Sequence, residues 1–412
     1  MQQKTFKNGL KAVLVPFKSS AAGITFGADC HIGKDFFNTI HERHILEHIM
    51  SRATKRHPSW ESLCRYSEGF CEEFNAETDR SSIIFHCKTT KQHLAKTIGF
   101  MSEIALLPHI TATHVNYERK RIAEEAWEID VVENGLFGRM DCSVDNAAIH
   151  NIKDAELARK LRGLHRRLFT GHRSVIAIAG DFDQKKANEV LEKKFQSLKT
   201  GTKSYWEPYE YTALQGKMML DIKKEEKIDL TIAFPTFGFT DPDRFTMSVI
   251  RNHLVSRYSS RFGIRLESVG AGSIGDTLWF WKDAGYFAMH ISMLSEHFFR
   301  ILSVVFEEIN LLKEKLIEPE DLEQAVNNIN VRGKIRFSEP LETSKFYARQ
   351  VINHGRAVSL RAYQQQIQQV TRPAIRKTAR NIFVESRMVL HADGPLRGVR
   401  KNDIRKALWP AI

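Results

Sequence analysis

What this sequence lacks narrows it first. Its five cysteines, Cys30, Cys64, Cys71, Cys87 and Cys142, form an odd, scattered set without a single C-x-x-C pair. That pattern argues against a disulfide framework or a cysteine-based metal site, and for a reducing interior. No apolar run approaches the roughly 18 to 20 residues of a membrane span, so no membrane partner is expected. The opening stretch, MQQKTFKNGL, carries no apolar core behind its charges and does not read as a secretory signal. The expected location is cytoplasmic.

What is present is ordinary in bulk. With 42% hydrophobic and 27% charged residues, the composition shows no sign of disorder. A chain of 412 residues is too long for one common core, and two domains of roughly 200 residues are the natural division. The net charge of +12 would suit a nucleic-acid binder if the cations were clustered. They are instead interleaved with 49 acids, and the densest group, Arg159 to Arg167, reads as one solvated helix face. No recognised nucleic-acid motif accompanies the charge, so nucleic acid is the weakest partner class. An acidic peptide or protein partner is compatible with it.

Along the chain, two halves share one grammar. Lys11 to Pro16 and Gly23 to Ala28 read as strands, followed by helices at about Phe37 to Ser51 and Trp60 to Ser67. A strand at Ser81 to Cys87 precedes helices at about Lys91 to Leu106 and His114 to Val132. Ser174 to Gly180 (SVIAIAG) is a continuous apolar run, typical of a buried strand, and a helix follows from Asp183 to Phe195. Leu198 to Pro208 is polar and is the best linker. The second half repeats the order, with strands at Lys227 to Phe234, across Gly275 to Met293 and at Arg387 to Ala392. Helices are expected at Arg244 to Ser256, Glu296 to Lys315, Pro319 to Ile335 and onward to Asn381. The expectation is an α+β protein of two homologous sandwich domains, each a mostly antiparallel sheet with helices on one face. The division is 1–200, a linker at 201–214, and 215–412.

The chemistry sits in His44-Ile45-Leu46-Glu47-His48, followed after 76 residues by Glu125. Residues four apart lie one turn apart on a helix, and Glu47 shares the face of the two histidines. A single histidine among 17 is usually a packed or surface residue; this spacing is what lifts the pair above that reading. Two imidazoles and a carboxylate are what a catalytic Zn²⁺ takes, leaving a fourth position for water. In the acid-rich stretch Tyr117 to Asp130, Glu118, Ile122 and Glu125 share one face, whereas Glu124 and Glu128 point elsewhere. Glu125 is therefore read as the third ligand, Glu47 as the base, and Glu118 as a carboxylate orienting a ligand histidine.

With those residues in place, the chain resembles the insulinase/pitrilysin family of inverted-motif zinc peptidases, in particular its short two-domain members, such as the mitochondrial processing peptidase subunits. His44, Glu47, His48, Glu118 and Glu125 match the family pattern residue by residue. Asn8-Gly9-Leu10 resembles its opening, and Phe74-Asn75-Ala76-Glu77-Thr78 resembles its F-N-A-x-T segment, which implies substrate binding at Asn75 and Ala76. The family's paired glycines are replaced here by Cys71-Glu72. In the second half Arg265 falls on the arginine of a family motif that holds substrate, but the tyrosine of that motif is Gly272 here. The resemblance implies one Zn²⁺ per chain, an endopeptidase acting on short or unfolded peptides, and halves arranged as half of a clamshell. The missing tyrosine favours a dimer with a homologous partner bearing the Arg/Tyr pair over a homodimer. It also leaves a weakly active binding or maturation subunit as the alternative.

Overall fold

Strands β1 (Gln2–Thr5) and β2 (Lys11–Pro16) form a hairpin in the computed structural model of the chain. Its turn needs Gly9, whose φ of 90° is left-handed and whose missing Cβ leaves room for the His172 ring. The structure describes residues 1–31, 39–124, 132, 135–136, 151–205, 217–255 and 260–408. These divide into two units: Met1–Glu128, Asp141–Glu207 and Gly333–Ser359 in one, and Ile129–Met140, Pro208–Arg332 and Leu360–Ile412 in the other.

In the first unit, β3 (Ala22–Asp29) leads to α1 (Ile40–Arg52), α2 (Trp60–Ser67), β4 (Cys71–Thr78) and β5 (Ser82–Thr89). Then come α3 (Leu94–Leu106), α4 (Ala112–Glu124), α5 (Asp154–Leu168), β6 (Ser174–Gly180) and α6 (Gln184–Phe195). The strand order is β1-β2-β6-β3-β5-β4. Among the described strands of this sheet, only β2 and β6 are parallel neighbours; the other four pairs are antiparallel. Ile45, Leu46, Ile49 and Met50 of α1 join Ile98 and Met101 of α3, Leu157 and Leu161 of α5, and Leu191 of α6 on one face of this sheet. Phe26 stacks there between Phe169 and Phe195, at ring distances of 6.3 and 5.5 Å.

The second unit repeats the plan with β7 (Lys217–Ile222), β8 (Lys227–Thr236), α7 (Arg244–Leu254), α8 (Arg261–Ser268), β9 (Ala271–Phe280) and β10 (Gly285–Leu294). The chain continues through α9 (Phe298–Glu314), α10 (Pro319–Arg336), α11 (Pro340–His354), α12 (Leu360–Gln368), α13 (Arg372–Ile382), β11 (Val389–Gly394) and α14 (Lys401–Leu408). The order β7-β11-β8-β10-β9, with β7 and β11 parallel, matches that of the first sheet strand for strand once β1 is set aside. Its core gathers Phe234, Phe287, Phe306 and Phe383 around the sheet and its helices.

The α+β class stands, with two sheets that are mostly antiparallel. Two details differ from the expectation of contiguous halves with helices on one face. First, residues Gly333–Ser359 belong to the first unit, so the first unit is not one stretch ending near residue 200. Second, α11 within that segment covers the other face of the first sheet, where Tyr347, Ala348, Val351 and Ile352 pack on Val13, Ile84, Val175 and Ala177. The reason is visible in β3 and β6, which are buried along their whole length and need cover on both sides. The approach is close: a Cβ on Gly23 would stand 2.4 Å from the Leu341 backbone nitrogen. Of the expected linker, 206–214 lies outside the described residues.

Candidate metal centre

Helix α1 starts after Thr39 and carries Glu42 in its first turn and Arg52 in its last, the charge placement that suits the helix dipole. One face buries apolar side chains in the core. The neighbouring face, turned to β4 and α4, presents His44, Glu47 and His48, whose ligand atoms all lie within 4.8 Å of one another. Arg43 is buried and donates to the carbonyls of Asp79 and Arg80 (3.4 and 2.9 Å), which fastens the helix to the β4–β5 turn.

The two histidines converge. Their Nε2 atoms are 3.1 Å apart, with rings edge to face. Two nitrogens each about 2.0–2.1 Å from one tetrahedral Zn²⁺ would stand about 3.3 Å apart, so the spacing fits a shared ion. His48 turns its Nδ1 to Glu118 Oε2 at 3.1 Å, and Arg52 Nε holds the other oxygen of that buried carboxylate at 3.3 Å. An Nδ1–H given to Glu118 leaves Nε2 with its lone pair, the tautomer that ligates metal. Burial, with His48 and His41 nearby, pushes the His44 imidazole down to about 3 and keeps it neutral. Thr78 donates its hydroxyl to Glu47 Oε2 at 3.3 Å. Glu125 lies outside the described residues, immediately beyond the described end of α4.

Thr78 ends β4, the outermost strand of the sheet, which pairs with β5 alone among the described residues. Asn75 and Ala76 lie on it, Asn75 exposed, with the Ala76 amide donating to Asn75 Oδ1 at 2.8 Å. Between them and Thr78, Glu77 bonds to Lys345 and Arg349 of α11 and to His86 of β5. Burial alone would raise this carboxyl; the His86 hydrogen bond and the two cations outweigh it and hold Glu77 well below the usual carboxylate range.

Two family models match the chain, one described as insulinase (peptidase family M16) over residues 43–136, the other as peptidase M16 inactive domain over 157–329. The chain belongs to peptidase family M16. An uncharacterized zinc protease of Mycobacterium bovis is 22% identical over 358 residues, 82% of this chain and 81% of its own. A probable mitochondrial-processing peptidase subunit beta of Schizosaccharomyces pombe is 20% identical over 442 residues, covering 98% and 93% of the two chains. The solved structure of a protease from Helicobacter pylori has the same fold, with a TM-score of 0.81 across 96% of this chain and 99% of that one at 17% identity. At the level of the family, these names support a zinc-dependent protease.

Arg265 lies on α8 and is bound by Glu307 and Glu308 of α9. Gly272 lies on β9, the outer strand of its sheet. Sequence reasoning missed Arg43, Arg52, Thr78 and the Glu77 cluster. Arg52 carried a signal, since it lies one turn beyond His48 on the same helix, and Glu77 and Thr78 stand in the segment that resembles F-N-A-x-T.

Proposed function

We propose that the chain is a zinc-dependent endopeptidase that cleaves short or unfolded peptides, with one Zn²⁺ per chain held by His44, His48 and Glu125. The observation that carries this reading is the pair of Nε2 atoms 3.1 Å apart, one of them oriented by Glu118. The ion, when bound, supplies Lewis acidity to the scissile carbonyl and a water of lowered pKa. Glu47, beside the Thr78 hydroxyl, takes the attacking water's proton and delivers it to the leaving amine. An extended peptide adds to the open edge of β4 at Asn75 and Ala76 through main-chain hydrogen bonds, which read extendedness more than side chains.

Two further features extend the proposal. Arg265 is engaged by two glutamates and Gly272 offers no hydroxyl, which favours a heterodimer whose partner brings the Arg/Tyr pair. The alternative, a peptide-binding or maturation subunit with little turnover of its own, draws on the same glycine. A cytoplasmic location completes the reading; no described helix is long and apolar enough to cross a membrane.

Metal analysis and cleavage of a quenched fluorescent peptide test it together. The purified chain should hold about one Zn²⁺, and Glu47→Gln should keep the metal while cleavage falls by about 10²–10⁴-fold. Undiminished cleavage by Glu47→Gln would remove Glu47 as the base. Strong activity of the isolated chain would remove the need for a partner.

A further inference from the structure

Two neighbouring thiols of the first core, Cys71 and Cys87, have no part in the proposed peptidase. Cys71 opens β4 and stands opposite Thr89 of β5. Cys87 lies two residues before Thr89, and side chains two apart on a strand share a face, so Cys71 and Cys87 are diagonal neighbours on the same side of the sheet. Both belong to the same apolar cluster: Cys87 is fully buried in it, and Cys71 packs against it from the strand edge. The ladder slips between Glu72 and Asn75, where Glu73 takes a left-handed φ of 53°, so the backbone linking Cys71 to the rest of β4 is already irregular.

Access is one-sided. An open cavity of about 660 Å³ is lined by Cys71 with Cys64, Trp60, Phe70 and Phe74. Cys71 therefore meets solvent, while its neighbour Cys87 is sealed beneath it. A hydrogen bond from the Cys87 thiol lowers the Cys71 pKa below that of an ordinary thiol; burial raises that of Cys87. This is the asymmetry of an attacking thiol backed by a resolving one.

We propose that Cys71 is an oxidation site for hydroperoxides, and that Cys87 converts the oxidised sulfur into a reversible cross-strand disulfide. The Cys71 thiolate attacks the peroxide oxygen; the O–O bond breaks, leaving a sulfenic acid on Cys71 and releasing an alcohol, or water from hydrogen peroxide. The Cys87 sulfur then attacks the Cys71 sulfur. The S–O bond breaks, and water leaves with the Cys87 proton. Two thiols lose two electrons and two protons in all, and one peroxide accepts them. The link would fasten the start of β4 to β5 at the irregular step of the ladder.

The experiment uses the full chain and thiol chemistry alone, so it does not depend on peptidase activity. After treatment with a slight excess of hydrogen peroxide, denaturation and alkylation without reductant should show two thiols lost. Peptide mapping should join Cys71 to Cys87, and dithiothreitol should restore both. Amide exchange over Cys71–Asn75 should slow at least severalfold in the oxidised form. In Cys87→Ala, Cys71 should stop at a sulfenic acid that dimedone labels once; if that variant does not fold, the mapping on the natural chain decides by itself. Cys64→Ser should leave the Cys71–Cys87 link unchanged. A link from Cys71 to Cys64, oxidation of Cys71 without any link, or thiols that survive the peroxide would each overturn the proposal.

Discussion

The two sheets follow one plan, yet the helix that comes after the second long strand carries different chemistry in each. In the first unit that helix is α1, and it turns His44, Glu47 and His48 towards the outer strand β4. In the second it is α7, where Arg251 reaches the outer strand β9 and pairs with Asp276. One scaffold thus supports a candidate metal centre in one copy and a plain ion pair in the other. The description of the second match as an inactive domain agrees with the absence of an H-x-x-E-H motif anywhere beyond residue 48. A handful of side chains on one helix separates the two, which is the sense in which function is grafted on a fold.

The largest effect expected from breaking this comparison is at the metal. His48→Ala should lose the bound Zn²⁺ and reduce peptide cleavage at least 10³-fold, since one ligand and the Glu118 brace go together. Arg251→Ala, on the matching helix, should keep the metal at about one per chain. Loss of zinc from both variants would mean that the halves are not chemically distinct.

Core truncation should come next in size. Phe26→Ala removes a ring stacked between two others, and Phe234→Ala removes one packed edge to face on Phe383. Each should cost about 3–5 kcal/mol. Hydrogen exchange followed strand by strand should place the first loss in β3 and the second in β8; a uniform loss in both sheets would show that the units open as one.

A smaller contrast lies in the two outer strands. Glu77 holds two cations and a histidine in a half-buried site, so Glu77→Gln should destabilise the first unit by about 1–3 kcal/mol. Asp276 pairs with an Arg251 that is 40% exposed, and Asp276→Asn should cost about 1 kcal/mol or less. Because the folded Glu77 carboxyl titrates below its unfolded value, its contribution is present above the ordinary carboxylate range and fades as the pH falls. Denaturant midpoints at neutral and acid pH would read both changes.

The smallest effect concerns His165 of α5, which hydrogen-bonds the Ala105 carbonyl at 2.9 Å and stacks on Phe169. Burial, eased by that hydrogen bond, pushes its imidazole down to about 4. The unfolded chain therefore takes up a proton that the folded chain refuses, and stability should be level above pH 6.5 and decline from there towards 4. At pH 5.5 the difference is about 1 kcal/mol. His165→Gln should flatten that slope by about one proton, measured by urea unfolding across the range. An unchanged slope would assign the dependence to other groups.

How much of this could be read beforehand depends on the range of the interaction. Strands β2 and β6 and helix α2 have the bounds read from the sequence, because an apolar run or a helical period is a local pattern. Strand β7, with its edge only partly buried, has a weak pattern and was not anticipated; β4, exposed and acidic, was readable only through its resemblance to a substrate-holding segment. The same limit holds at the site. The spacing of 44, 47 and 48 already places both ligand histidines and the base on one helix face, whereas Thr78 beside Glu47 depends on which strand lies next to that helix.

The amino-acid order by itself determined the helix geometry of the histidine pair, the seven-residue interval from Glu118 to Glu125, and the alternation of strands and helices in two similar halves. Those features follow from backbone periods of two and 3.6 residues, which need no partner to be expressed. The tertiary structure alone decided that Arg43 pins α1 to the β4–β5 turn, that His48 and not His44 is the histidine Glu118 reaches, and that α11 returns from beyond residue 333 to cover the first sheet. Each of these joins positions far apart in sequence, and burial and charge pairing select them only once the whole chain has folded.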